Sequence, residues 1–350
     1  MPVDIKNMTI MAAVVLLSSC SKSEIEPEPY TFEAPVHFPQ PVFDTGNPMS
    51  REGIALGRML FYDVRLSANN KVSCATCHDP QRAFTDGARL STAGVSGSAL
   101  LRHTPALFNL AWATNGLFWD GGATNLESQV FGPLTAHDEM GQDLYELMDE
   151  LNAVPAYVSG FQNAFDGPVS SQNVAKALAQ FQRSLISADS RYDRFRLNKP
   201  GGSLTADELS GLELVRQKCQ GCHAGELFTD QGYHNNGLDA DFSDTSHEGL
   251  FLGRYRISYD VSDLGKFKTP SLRNLAFTAP YMHDGRFATL EDVLEHYSTG
   301  VKNSATLDKL IPASGMELTG EQKKQVVAFL YTITDQEFVR DPEHQKPSNF

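Results

Sequence analysis

The sequence predicts a mainly α-helical protein built twice, each half organised around one short cysteine–histidine motif. Three observations carry this. The pentapeptide Cys-x-x-Cys-His occurs at Cys74-Ala75-Thr76-Cys77-His78 and again at Cys219-Gln220-Gly221-Cys222-His223, using four of the five cysteines. Apolar residues recur at helical spacing, as in Leu144, Leu147, Met148, Leu151 and in Val174, Ala177, Leu178, Phe181, Leu185. No convincing run of alternating strand pattern is present. At 350 residues, 41% hydrophobic and 21% charged, the chain is long enough for two globular domains.

The pentapeptide is the signature of c-type haem attachment. Its two thiols add across the vinyl groups of a haem, and the histidine that follows is placed to bind the iron. Two competing readings are weaker. Zinc held by cysteines does not require a histidine after each pair, and a thioredoxin-like redox pair expects a βαβ setting that neither motif has. Two covalent haems are therefore expected, one on Cys74 and Cys77 with His78 as ligand, the other on Cys219 and Cys222 with His223.

The N-terminus reads as a targeting segment. Met8 to Leu17 is an apolar run too short to span a bilayer, and it ends Leu17-Ser18-Ser19-Cys20. This resembles a lipobox, which implies a signal peptide over 1–19, cleavage before Cys20 and lipidation of that thiol, so that the protein is anchored to a membrane without spanning it. An ordinary secretory signal with a leftover cysteine is the alternative. Either way the destination is outside the cytoplasm, in the periplasm. Residues 20–48 read as a tether, because Pro27, Pro29, Pro35, Pro39, Pro41 and Pro48 break any helix and Glu24, Glu26 and Glu28 keep it solvated.

Ser50 is expected to cap a short helix through Met59 and Leu60. A Gly- and Ser-rich loop follows His78. Leu126 to Val130 reads as a short helix that Gly132-Pro133-Leu134 stops. Pro200-Gly201-Gly202 marks a junction, giving an N-terminal domain over 49–199 and a C-terminal domain over 200–345. Thr205 and Glu208 form a capping box for a helix with Leu209, Leu212 and Val215 inward, which delivers Cys219. Thr289 with Asp292, and Thr319 with Gln322, cap two later helices. In the first of these, Leu290, Val293, Leu294 and Tyr297 form an i, i+3, i+4, i+7 stripe, so Tyr297 faces inward while His296 points off it. The net charge of −14 argues against nucleic acid and fits a basic partner such as a small electron carrier. An oligomer is left open.

Beyond the two haem motifs, the segments Phe118-Trp119-Asp120-Gly121, Gln129, Gly132-Pro133-Leu134, Glu139-Met140-Gly141, Thr269-Pro270-Ser271-Leu272-Arg273-Asn274 and Tyr281-Met282-His283-Asp284-Gly285 resemble the bacterial di-haem cytochrome c peroxidase family, including its MauG-type branch. The resemblance covers most of the chain after the tether. It implies two packed cytochrome c folds, with a peroxidatic haem in the first half and an electron-entry haem in the second.

It also implies roles. Glu139 would move a proton between the peroxide oxygens; taken alone it reads as a first-turn helix carboxylate. Gln129 and Pro133 would line the same distal pocket, and otherwise read as a surface amide and a helix stop. Trp119, one of two tryptophans, would carry electrons between the haems, or simply pack. Tyr297 falls where classical members have a methionine ligand, which implies phenolate ligation of the second haem; a core tyrosine is the alternative, and Met316 is the runner-up ligand. A phenolate stabilises ferric iron and lowers the potential, so the two haems could share oxidising equivalents with Trp119 and act on a protein substrate, as in tryptophylquinone maturation. No histidine lies between Asp79 and Leu101, where many members carry a distal one, so the first haem is expected to be open, high-spin and active without prior reduction. The family also binds calcium between the halves, through backbone oxygens near Thr278 and Pro280 and an asparagine whose place His103 takes; histidine is a poor ligand for a hard cation. Arg273 would pair with a haem propionate, or is a surface arginine. The leading expectation is reduction of hydrogen peroxide with electrons from a small c-type cytochrome or cupredoxin. Oxidation of a partner protein and non-enzymatic electron transfer are the alternatives.

Overall fold

The structure, a computed structural model, describes residues 27–43 and 45–348. The chain is mainly helical, and its halves follow one plan. In the first, helix Arg51–Phe61 starts at Ser50, whose hydroxyl accepts the Gly53 N–H at 3.0 Å, and packs along helix Ser171–Ser184. In the second, helix Ala206–Lys218 starts in the Thr205/Glu208 capping box and packs along helix Gly320–Thr332, which starts in the Thr319/Gln322 box. Each pair meets at a glycine. A Cβ on Gly57 would stand 2.0 Å from the Ala177 carbonyl oxygen, and one on Gly211 would stand 1.9 Å from that of Gln325. Any side chain there would force the two backbones apart.

Each half buries its own core. Leu60, Phe61, Phe84, Phe161, Leu178 and Phe181 anchor the first; Tyr192, Leu212, Val215, Phe228, Phe329 and Leu330 anchor the second. Leu147 and Leu151 of the expected stripe are fully buried. Leu209, expected inward, is 43% exposed, because the helix turns only its Leu212 and Val215 side toward the Gly320–Thr332 helix. Among the described residues the only sheet is the two-residue antiparallel pair Tyr233–His234 with Phe267–Lys268.

Two sequence expectations are corrected. Gly132-Pro133-Leu134 does not stop a helix but lies inside helix Phe131–Thr135; proline is tolerated there because first-turn N–H groups have no intrahelical acceptor. Helix Arg191–Arg196 precedes the Pro200-Gly201-Gly202 segment, yet its Tyr192 and Phe195 pack in the second core. The C-terminal tail in turn crosses back: Phe338 and Val339 join the first core, with the Phe338 ring 5.8 Å from Phe84. Proline and glycine mark turns, but they do not say in which core a helix buries its face.

The second correction concerns the tether. Residues 27–43 and 45–48 form no helix, but they are strapped across both halves rather than solvated throughout. Phe38 is 5% exposed beside Trp112, whose Nε1–H donates to the Pro39 carbonyl at 2.7 Å. His37 Nε2–H donates to Asp193 at 2.8 Å. The signal segment and Cys20 lie outside the described residues, and no helix among the described residues is long and apolar enough to cross a membrane.

Candidate active site

The two pentapeptides adopt matching geometry. The N–H of His78 donates to the Cys74 carbonyl, and that of His223 to the Cys219 carbonyl, each at 2.9 Å. Each imidazole is then oriented by a carbonyl a few residues on: His78 Nδ1–H donates to Phe84 at 2.7 Å, and His223 Nδ1–H to Phe228 at 3.2 Å. Both phenylalanines sit at positive φ, which turns their carbonyls back toward the ring. Thr85 and Thr229 clamp these loops through hydroxyl bonds to the Thr104 and Thr269 carbonyls, at 2.8 and 2.7 Å. A proton fixed on Nδ1 leaves the Nε2 lone pair for a metal. Burial lowers both imidazole pKa values, which keeps them in the neutral, ligating form.

None of the four motif cysteines is paired in a disulfide. Burial pushes Cys74 up to about 12 and Cys219 up to about 11. Among the described residues no group of three or more His, Cys, Asp or Glu side chains converges in a way that could hold a bare metal ion. A cavity of about 330 Å³ adjoins Cys219, Cys222 and His223 and extends to Trp119 and Gln129 of the first half. Paired cysteines and an oriented imidazole at each pentapeptide, with an apolar cavity beside the second, fit covalently attached haem.

A second repeat, not recognised from sequence, relates a later segment of each half. Leu117 bridges to Ala123 as Tyr281 bridges to Phe287. Phe118 and Met282, and Gly121 and Gly285, share positive φ. Asn125 and Thr289 then cap the helices that follow. The shared spacing around these Asp-Gly turns was the available signal. The same offset carries Trp119 onto His283 and Pro133 onto Tyr297.

Pro133 and Tyr297 are held alike. The Met140 N–H donates to the Pro133 carbonyl at 3.1 Å, and the Met316 N–H donates to the Tyr297 carbonyl at 2.8 Å. At corresponding places, one half offers a ring with no donor atom and the other a phenol. Tyr297 lines the cavity with Met316 and Met282. Burial pushes its phenol up to about 12, with the Asn236 hydrogen bond opposing and the nearby Cys219 and Cys222 thiols adding. His296, expected to point away, is buried too, because His296–Gly300 is a π-helical turn that rotates it inward.

Glu139 stands beside the first motif, where its charge acts on both Cys74 and Cys77. It belongs to a turn, not a helix, and its N–H donates to the Ala136 carbonyl at 3.0 Å. Burial, and then the charge of Asp138, raises its carboxyl pKa, and among the described residues no group hydrogen-bonds to it. Gln129 is buried with a free side-chain amide among the described residues. Trp119 sits where the halves meet: its Nε1–H donates to the His103 carbonyl and its own carbonyl accepts the Lys268 N–H, both at 2.8 Å.

Arg273 is not a surface arginine, though it lines the cavity beside His223. It is fully buried, forked onto Asp193 at 2.9 and 2.7 Å, with Nε–H donating to the Glu226 carbonyl at 2.8 Å. His103 is buried with Nδ1–H donating to the Ala88 carbonyl at 2.9 Å, so its side chain offers no oxygen to a calcium ion.

Comparisons agree with this geometry. Residues 51–200 match the family model for di-haem cytochrome c peroxidase. The methylamine utilization protein MauG of Methylorubrum extorquens is 36% identical over 329 residues, 93% of this chain and 89% of that protein. The cytochrome c551 peroxidase of Pseudomonas aeruginosa is 31% identical, covering 83% and 80%. The crystal structure of a MauG-like protein associated with microbial copper homeostasis superposes with a TM-score of 0.83 at 35% identity, covering 91% of this chain and 99% of the other. The chain belongs to the di-haem cytochrome c peroxidase family that includes MauG.

Proposed function

We propose that the protein reduces hydrogen peroxide to water beside the first pentapeptide, with electrons from a small c-type cytochrome or cupredoxin entering through the second half. The bound haems supply redox-active iron. The supporting observation is Glu139, a carboxyl with raised pKa and no hydrogen-bonded partner among the described residues, next to Cys74 and Cys77. Such a group holds a proton at neutral pH more readily than an exposed carboxylate, and can move one from one peroxide oxygen to the other. Pro133, at the place Tyr297 holds in the second half, has no ligating atom and would leave the peroxide side open. Gln129 has a free amide with which to orient the substrate, and Trp119 links the halves. Glu139→Gln keeps the shape and removes the acid. Haem content should be unchanged, while stopped-flow peroxide reduction with reduced cytochrome should fall by about tenfold to a thousandfold. Wild-type turnover in that variant sinks the proposal.

One observation favours a second reading, the oxidation of a protein partner. Tyr297 faces the Cys219 and Cys222 thiols, and a phenolate ligand there would favour ferric iron in the second haem over the reduced form a donor must fill. Peroxide consumption that needs a protein substrate, and does not occur with reduced carrier, would select this reading. We also propose that the protein is held at a membrane in the periplasm through lipidated Cys20.

A further inference from the structure

We propose that Asn236 is the positioning residue for Tyr297 and sets how strongly its phenol oxygen binds the second haem. This rests on Tyr297 being the axial ligand. Asn236 lines the cavity shared by Cys222, His223 and Tyr297. Its Nδ2 donates to Tyr297 Oη at 3.3 Å and to Met282 Sδ at 3.6 Å. An amide nitrogen carries two hydrogens, so it can serve both acceptors at once. It therefore tunes the phenol and ties back a thioether that would otherwise be free in the same cavity.

The backbone that carries Asn236 is fixed on both sides. Asn235 donates through Nδ2 to the hydroxyls of Ser304 and Thr306, at 3.0 and 2.9 Å. The Asp308 N–H donates to the Asn235 carbonyl at 3.0 Å, and the Lys302 N–H to the Gly237 carbonyl at 2.8 Å. The Asn236 carbonyl accepts His296 Nε2–H at 3.0 Å. One residue thus grips both aromatic side chains that open the π-helical turn. A hydrogen bond to a phenolate oxygen draws charge away from the metal, and such outer partners tune both ligand basicity and potential. Without the amide the phenolate is the stronger donor, and the ferric form is favoured.

The test uses the full-length, haem-loaded protein. Asn236→Leu should shift the ferric/ferrous equilibrium of the second haem toward ferric by about tenfold, about 59 mV for a one-electron couple. Its EPR signal should move and that of the first haem should not. Asn236→Ala removes the N–H groups without adding a charge, should shift in the same direction, and serves if the leucine variant does not fold. Tyr297→Phe is measured alongside. If it alters the second-haem EPR while both Asn236 variants keep wild-type EPR and potential, the role of Asn236 is overturned. If Tyr297→Phe changes nothing, the ligand reading fails and the Asn236 proposal falls with it.

Discussion

Asp193→Asn removes the counter-charge from a guanidinium that no solvent reaches. The Arg273 and Asp193 side chains are 0% and 1% exposed, and two short charge-assisted bonds join them. Asp193 also accepts from the Ser190 hydroxyl at 2.6 Å and the Ser190 N–H at 2.8 Å, and from His37 at 2.8 Å. The Arg273 cation lies 4.7 Å from the centre of the Phe38 ring and 5.7 Å from that of Phe228. Asparagine fits the space but turns one acceptor into a donor and leaves the cation uncompensated. Removing one partner of a buried pair costs about 3–5 kcal/mol. Guanidinium chloride unfolding, followed by far-UV CD and haem absorbance, should show a loss of this size. Because His37 and Phe38 sit on the same pair, limited proteolysis should also cut faster within residues 36–43.

The effect has a definite pH dependence. Burial alone would raise the Asp193 carboxyl, but the hydrogen bonds from His37 and Arg273, with the Arg273 charge, outweigh it and hold the carboxyl well below the usual range. A depressed carboxylate contributes its full stability above the unfolded value, about 3.9, and loses it as pH falls toward the folded value. The difference between wild type and variant should therefore shrink below about pH 4. A loss under about 1 kcal/mol at pH 7, or a difference that grows in acid, refutes the reasoning.

Two other substitutions separate the remaining roles. Trp119→Phe removes the N–H bond to His103 and the readily oxidised ring; haem content and resting spectra should hold, while electron transfer between the halves, followed by stopped flow after peroxide, should slow by about tenfold or more, a barrier change of about 1.4 kcal/mol. Unchanged rates would reduce Trp119 to a packing residue. Cys20→Ser should move the protein from the membrane fraction to the soluble periplasmic fraction, and retention in the membrane would count against lipidation.

Several features were legible because their chemistry is local. A capping box such as Thr205 with Glu208 is complete within four residues, and so is Thr319 with Gln322. The haem motifs are complete within five, since thiol, thiol and imidazole must reach one porphyrin. Helical stripes exposed Leu147, Leu151 and Phe181 as core residues because burial follows the turn of the helix. The regular stripe failed at His296, where one π-helical turn changed which side chains face in. It failed at Leu209 because the partner helix covers a narrower face than the pattern allows.

What the sequence alone determined was the pair of attachment sites, the helical character and the two-part construction, all set by residues a turn or less apart. The tertiary structure alone decided that the proline-rich strap lies across both halves, that the C-terminal tail returns to the first core, that Arg273 is held by Asp193, and that Asn236 meets Tyr297. Each of these joins residues dozens to hundreds of positions apart. Such pairings follow from which surfaces bury each other, and the order of residues along the chain does not record that.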